Sequence, residues 1–134
     1  MLTTPLTPFH IANLAKLADF LDALPDDYAH FRMANYFGKY YEDDEHPYPD
    51  AEPSEVDPAR LINCGTCACA VGHGIAAGIE AMRGENWHEY ERRAFGVSVR
   101  DPNFEAWDFM FGPDNPDDAK AAARRIREVL AGAE

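Results

Sequence analysis

The clearest pattern in the chain is a run of apolar residues at helical spacing near the amino end. In residues 10–24, every third or fourth position is apolar, while Lys16, Asp19 and Asp22 lie mostly on the other side. The apolar set is Ile11, Leu14, Leu17, Ala18, Leu21 and Leu24. This spacing is typical of an α-helix with one apolar face, and Pro25 ends the segment because proline does not continue a helix. The pattern therefore predicts an amphipathic helix over residues 10–24.

The carboxyl-terminal half predicts three more helices, each with its own boundary signals. Residues 85–95 form the first, with Gly96 as a carboxyl-terminal stop. Residues 101–111 form a short second helix, which opens with Asp-Pro as N-cap and first helical residue and ends before Gly-Pro. Residues 115–118, Asn-Pro-Asp-Asp, start the third, because carboxylates are favoured in a first turn. This last helix continues over residues 119–130.

A segment built of small residues lies between these helices and the first one. Residues 66–82 contain a set of alanines and glycines, namely Ala68, Ala70, Gly72, Gly74, Ala76, Ala77 and Gly78. Each glycine costs about 1 kcal/mol relative to alanine in a helix interior. Close packing is the natural compensation, since larger side chains would hold neighbouring elements apart. The segment therefore predicts a buried central helix over residues 66–82.

These elements together predict the fold class. Strong period-two alternation, which would indicate a strand, is missing from the sequence. Residues 26–41 are rich in aromatic residues, and their mixed pattern fits either a short helix or an extended segment. A chain of 134 residues is the usual length of one domain. We therefore expect an all-α fold: a single compact domain over residues 1–134, with about five helices around the small-residue helix.

Acidic residues are concentrated in one part of the chain. The protein has 24 acidic and 12 basic residues, which gives a net charge of −12. Residues 42–58 hold eight of the acidic residues and four prolines but no Lys or Arg, so they carry −8 and leave −4 for the other 117 residues. Proline removes hydrogen-bond donors, and like charges repel. The composition therefore predicts an acidic loop over residues 42–58.

Charge and composition also exclude classes of partner. An acidic protein repels the phosphates of nucleic acids and the anionic lipids of a membrane surface. No apolar run approaches the ~20 residues of a membrane span, and the first residues lack the basic start of a signal peptide. Three clustered cysteines suit a reducing compartment. We therefore expect a cytoplasmic protein that binds neither nucleic acid nor membranes.

The acidic loop suggests a partner with a basic surface. Its carboxylates can imitate a nucleic-acid backbone and occupy a basic groove, as in a phage protein that blocks a host nuclease, and such association is fast and weakens with salt. The candidate partner-binding residues are Glu42, Asp43, Asp44, Glu45, Asp50 and Glu52. Two alternatives stay open: a solvated loop that maintains solubility, and a weak cation site whose spacing does not match an EF-hand.

The cysteine cluster is the second candidate for chemistry. Cys64, Cys67, Cys69 and His73 lie within ten positions. Cysteine is among the most frequently buried residue types, so the sequence favours packing. A zinc site is the first alternative, because Cys64 and Cys67 have ligand spacing and Cys69 and His73 are one helical turn apart. However, structural zinc sites usually draw on two separated pairs. We therefore expect no cofactor, with zinc as the alternative.

Two further interpretations of the cluster involve a reactive thiol. The segment Cys-Gly-Thr-Cys-Ala around Cys67 is superficially similar to the nucleophile region of papain-like proteases, but Ala68 replaces an aromatic residue and the downstream histidine is missing. A pairing of Cys64 with His73 or His88 stays open as a cysteine-dependent enzyme. A redox pair of Cys64 and Cys67 lacks the βαβ surroundings that this motif requires.

Several of these residues also carry a resemblance. The chain resembles a group of small bacterial and phage proteins that have a CGTxxCxxG segment and a later aromatic turn ending in "LFG", over residues 10–24 and 61–132. The matching residues are Asn63, Cys64, Gly65, Thr66, Cys69 and Gly72, followed by Trp107, Asp108, Phe109, Met110, Phe111 and Gly112. Cys64 and Cys69 match recurring positions of the group, whereas Cys67 and His73 do not. The resemblance implies no activity.

The sequence thus favours a non-enzymatic binding or regulatory protein, with a phage origin suggested by the resemblance. Its expected partner is a basic protein, bound through the acidic residues of 42–58. The alternative is a small metal-binding or cysteine-dependent enzyme domain that uses the cysteine cluster and His73.

Overall fold

Helices make up most of the structure, a computed structural model that describes residues 2–26, 28, 31, 38–39, 53–55, 66–67, 69–112 and 114–133. The helices of these residues are α1 (Pro8–Asp22), α2 (His73–Ala76), α3 (Trp87–Phe95), α4 (Phe104–Phe111) and α5 (Ala119–Ala133), with a 3-10 turn at Pro53–Glu55. Two short antiparallel strands, β1 (Gly38–Lys39) and β2 (Thr66–Cys67), pair Gly38 with Cys67. The predicted all-α class with about five helices is confirmed. No helix among the described residues is both long and apolar enough to cross a bilayer.

Helix α1 is the predicted amphipathic helix, and it begins two residues earlier than the apolar pattern indicated. The Thr7 side chain accepts a hydrogen bond from the His10 backbone N–H, and the His10 ring accepts one from the Thr7 backbone N–H. This reciprocal capping, with Pro8 at the first helical position, sets the start of the helix. Four residues of the apolar face are fully buried, namely Leu14, Leu17, Ala18 and Leu21.

The main helix pair of the core is α1 against α5, and α1 also contacts α3. Helix α5 starts after Asp118, whose Oδ1 accepts a hydrogen bond of 3.0 Å from the Lys120 backbone N–H. Its buried face consists of Ala122, Ala123, Ile126 and Val129. At the exposed edge of the pair, Arg127 binds Asp19 at 3.0 Å and Asp22 at 3.1 Å. Exposed ion pairs contribute at most about 1 kcal/mol, so apolar burial holds the two helices together.

Residues 69–74 of the small-residue segment are buried, but the helix of this segment is shorter than predicted. Instead of a helix over 66–82, residues 66–67 form a strand and the helix spans only His73–Ala76. The helix ends before Gly78, whose φ of +88° is a left-handed conformation. At Gly74, a β-carbon would lie 2.6 Å from the Tyr90 hydroxyl oxygen. The glycines thus serve a turn and a close approach, rather than the interior of a long helix.

Helices α3 and α4 are joined by a connection that one asparagine organises. Gly96 ends α3 with a φ of +73°, as predicted. Helix α4, however, is capped at Asn103 and not at Asp101. The buried Asn103 amide accepts hydrogen bonds from the backbone N–H groups of Thr3 (2.7 Å) and Thr4 (2.8 Å) and donates one of 2.9 Å to the Gly96 carbonyl. The side chain thereby fastens the first residues to the α3–α4 connection.

Candidate functional site

The structure describes only part of the predicted site. The predicted partner-binding residues lie outside the described residues, and so do Cys64 and the side chain of Cys67. The former are Glu42, Asp43, Asp44, Glu45, Asp50 and Glu52. Among the predicted acidic loop, 42–58, only Pro53–Glu55 are described. The binding assignment of this loop therefore stays a prediction, and the described chemistry centres on Cys69 and His73.

Cys69 is a free, buried thiol in the core. Burial raises the pKa of this thiol to about 12, and the negative charge of nearby Glu91 acts in the same direction. Hydrogen bonds from backbone N–H groups, such as that of Gly72, only partly offset this. The thiolate is the nucleophilic form of cysteine. At neutral pH Cys69 therefore stays protonated, which suits the packing role that the sequence favours for it.

His73 is fully buried at the start of α2, with a hydrogen bond at each ring nitrogen. Nδ1 lies 2.9 Å from the Cys69 carbonyl oxygen, and Nε2 lies 2.7 Å from the Tyr28 hydroxyl oxygen. Because a carbonyl only accepts, Nδ1 carries the proton, and in the neutral ring Nε2 accepts from the Tyr28 O–H. The Phe31 ring packs against the imidazole, with centroids 5.4 Å apart. This network joins Tyr28 and Phe31, which follow α1 in the chain, to the small-residue segment.

The geometry also bears on the predicted metal site. Cys69 and His73 are brought together by the hydrogen bond between the His73 ring and the Cys69 backbone carbonyl. Within the described part of the chain, no group of three or more His, Cys, Asp or Glu side chains is placed to hold a metal ion. A zinc ligand needs a nitrogen lone pair, and Tyr28 occupies that of His73 Nε2. A zinc site that includes Cys64 and Cys67 stays a prediction.

A buried carboxylate that was not predicted lies on α3. Glu91 is fully buried, and Trp107 of α4 donates its indole N–H to Glu91 Oε2. His88 Nδ1 lies 3.2 Å from Glu91 Oε1. Burial lowers the pKa of His88, and the positive charges of Arg100 and Arg92 act in the same direction. His88 is therefore a neutral hydrogen-bond donor at pH 7, and the contact with Glu91 is not an ion pair of full strength.

The sequence does contain a signal for Glu91. The buried residues of α3 are Tyr90, Glu91, Ala94 and Phe95, and Glu91 thus occupies a position of the apolar stripe. A charged residue at such a position indicates a buried partner, because unpaired buried charges are costly. The network joins α3 to α4 in the core. Its chemistry is that of a structural hydrogen-bonded cluster, with His88 as its partly exposed member.

The residues that follow α1 and those at the start of α5 line a surface cleft of about 410 Å³. Three carboxylates line it, those of Asp26, Asp117 and Asp118, along with two cationic side chains, Lys120 and Arg124. Tyr28 also lines the cleft and connects it to buried His73. Burial raises the pKa of Tyr28 to about 12, so its hydroxyl stays protonated at neutral pH. The cleft is polar and its two signs of charge are mixed.

Comparison with known proteins adds no assignment to these sites. No protein-family model, no curated protein and no solved structure matches the chain. The resemblance to small bacterial and phage proteins therefore rests on the motif residues alone.

Proposed function

We propose that this protein is a non-enzymatic binding or regulatory protein that engages a basic protein partner through residues 42–58. The observation that carries the proposal is the charge distribution: a 17-residue segment without Lys or Arg holds −8 of the total −12. A local concentration of one sign steers a partner of the opposite sign and accelerates association. The same electrostatic steering would serve a phage-derived inhibitor whose segment 42–58 competes with nucleic acid for a basic groove.

The chemistry of the described cysteine segment supports this proposal over a catalytic one. The buried Cys69 thiol has a raised pKa, and the ring nitrogens of His73 are engaged by Tyr28 and the Cys69 carbonyl. A cysteine nucleophile requires a lowered pKa and an accessible thiolate. Cys69 has the opposite properties.

The test compares two variants with equal net charge. In the loop variant, six acidic residues become Asn or Gln: Glu42, Asp43, Asp44, Glu45, Asp50 and Glu52. In the control, six exposed carboxylates elsewhere are changed in the same way: Asp26, Glu80, Asp101, Glu105, Asp108 and Asp114. Both variants and the unmodified protein capture partners from a host lysate at low and high salt, and bound proteins are identified by mass spectrometry.

We expect the unmodified protein and the control to retain the same basic protein, and the loop variant to lose it. High salt and a short DNA duplex should both release it. Equal capture by both variants, or equal loss, would show that location of charge does not matter and would refute the proposal.

The alternative, a metal-binding or cysteine-dependent enzyme domain, is tested separately. Metal analysis of protein purified without chelator, together with iodoacetamide labelling read by peptide mass spectrometry, distinguishes the three thiols. Stoichiometric zinc, or one cysteine that reacts far faster than a free thiol at neutral pH, would support the alternative. We expect Cys69 to be labelled last, and only on unfolding, because it is buried with a pKa of about 12.

A further inference from the structure

A second recess lies on the outer side of α5, next to α4. Its volume is about 300 Å³, at the lower end of the range for small-molecule sites. The lining residues are Phe109, Ala121, Arg124, Arg125 and Glu128. Phe109 comes from α4 and the other four from α5. The recess thus combines an apolar wall with two guanidinium groups and one carboxylate.

Arg125, one of the residues that line this recess, has an unfilled hydrogen-bonding group. Its Nη1 is buried, and it has no hydrogen-bond partner among the described residues. Leaving a buried donor without an acceptor destabilises the protein, and more so when the group is charged. The arginine side chain has several rotatable bonds, and a rotamer that turns the guanidinium toward the recess gives Nη1 access to an acceptor placed there. An oxygen acceptor there would remove the cost.

The remaining lining groups restrict the chemistry of that acceptor. A guanidinium presents parallel N–H groups that match the two oxygens of a carboxylate. Two arginines and one glutamate give the lining a net charge of +1, which a monoanion neutralises and a phosphate dianion overcompensates. Phe109 and Ala121 offer an apolar surface for the body of the ligand, and aromatic rings pack favourably against each other.

We propose that this recess binds an organic carboxylate with an apolar or aromatic body, its carboxylate held by Arg125 and its body packed against Phe109. The carboxylate belongs to a free small acid or to the carboxyl terminus of a peptide that ends in an aromatic residue. The proposal does not depend on the acidic segment 42–58, because none of its residues belongs to that segment.

The test is a titration of the ¹⁵N-labelled full chain, followed by NMR. The probes are benzoate and its uncharged analogue benzamide, a short peptide ending in Phe and its carboxyl-terminal amide, and inorganic phosphate. We expect benzoate to shift the resonances of residues 109 and 121–128, while benzamide and the peptide amide leave them unchanged. Shifts with benzoate alone assign the site to a free acid, and equal or stronger shifts with the free peptide assign it to a peptide terminus.

Three variants connect the binding to Arg125. Arg125→Met should weaken benzoate at least tenfold, and Arg125→Lys should weaken it less, because lysine keeps the charge but loses the paired N–H groups. Arg83→Met, at an exposed arginine away from the recess, is the control and should bind as the unmodified protein does. Unshifted spectra elsewhere verify that each variant is folded.

Three results would overturn the proposal. The first is that benzamide binds as tightly as benzoate. The second is that Arg125→Met binds benzoate as tightly as the unmodified protein does, and the third is that phosphate binds more tightly than benzoate.

Discussion

Two regions of this protein bury polar groups in opposite ways. In the central layer formed by the small-residue segment and α3, the buried polar side chains have internal partners: His73 has Tyr28 and a carbonyl, and Glu91 has Trp107. At the recess beside α5, Arg125 Nη1 is buried without a hydrogen-bond partner among the described residues. A buried polar group is thus informative about ligands only when the fold leaves its hydrogen bonds unfilled.

The largest expected effect on stability comes from removing a buried side chain whose hydrogen bond is made within the fold. Glu91→Ala should lower the free energy of unfolding by roughly 3 kcal/mol, because it leaves the Trp107 indole N–H unmet and opens a cavity. Glu91→Gln keeps an acceptor for Trp107 and should cost less than half as much. Urea unfolding measures both. Equal losses for the two variants would contradict a role for the Trp107 hydrogen bond.

The tightness of the central layer is tested by two glycines. At Gly74 an added β-carbon would lie 2.6 Å from the Tyr90 hydroxyl and 3.2 Å from Phe95 Cζ. Tyr90 does not move away easily, since its hydroxyl donates to the Ile79 carbonyl at 2.6 Å. Gly74→Ala should therefore destabilise the protein by about 2 kcal/mol.

Gly132, near the end of α5, is the matched control for Gly74. No atom lies within 4 Å of a β-carbon built there. Gly132→Ala should leave the free energy of unfolding unchanged or raise it by up to about 0.5 kcal/mol, because alanine favours helix. Similar losses at both glycines would show that packing does not distinguish the two regions.

Replacing Arg125 should affect stability in the opposite direction to replacing Glu91. Arg125→Met keeps the apolar stem of the side chain but removes the unfilled donor, so the free energy of unfolding should rise by about 1 kcal/mol. Thermal and urea unfolding in ligand-free buffer measure this. A loss comparable to that of Glu91→Ala would mean that Arg125 has a structural partner.

The smallest expected effect is a dependence on pH through His88. Because its pKa in the folded protein is below the ordinary 6.5, the unfolded chain takes up the proton first as pH falls below 6.5, and stability is lost. Above that pH the ring is neutral in both states and contributes no dependence. His10 also has a lowered pKa, owing to burial, and acts in the same direction.

His88→Gln should therefore reduce the loss of stability between about pH 7.5 and about pH 5. Unfolding at both pH values, and titration of the His88 ring by NMR, check this. A His88 pKa above 6.5 would show that Glu91 stabilises the charged ring more than burial, Arg92 and Arg100 oppose it.

Local signals predicted the regular helices well. The apolar spacing of α1 and the Gly96 stop of α3 appear in the structure. The start of α5 was predicted a few residues early: the helix begins at Ala119, and Asp118 accepts a hydrogen bond from the first turn without belonging to it. These features depend on residues within one or two turns of each other. A periodic pattern or a capping residue contains that information in full.

Features that depend on distant partners were not predictable in the same way. The N-cap of α4 moved from Asp101 to Asn103, because Asn103 binds the backbone of Thr3 and Thr4, about 100 positions away. The helix expected over 66–82 spans only His73–Ala76: residues 66–67 pair as a strand with residues 38–39, and Gly78 adopts a left-handed conformation just after the helix. Neither the recess at Arg125 nor its unfilled hydrogen bond is visible in the sequence, since α4 and α5 create it together.

The pairing of α1 with α5 has a consequence for how the chain folds. Arg127 and Asp19 are 108 positions apart, and Asn103 and Thr3 are 100 apart. Closing a loop of about 100 residues costs about 2 kcal/mol more in chain entropy than closing one of about 10. Contacts of such long range slow folding. During synthesis, the apolar face of α1 therefore stays unpaired until α5, about 100 residues further along the chain, has been translated, and a chaperone has that whole interval in which to bind it.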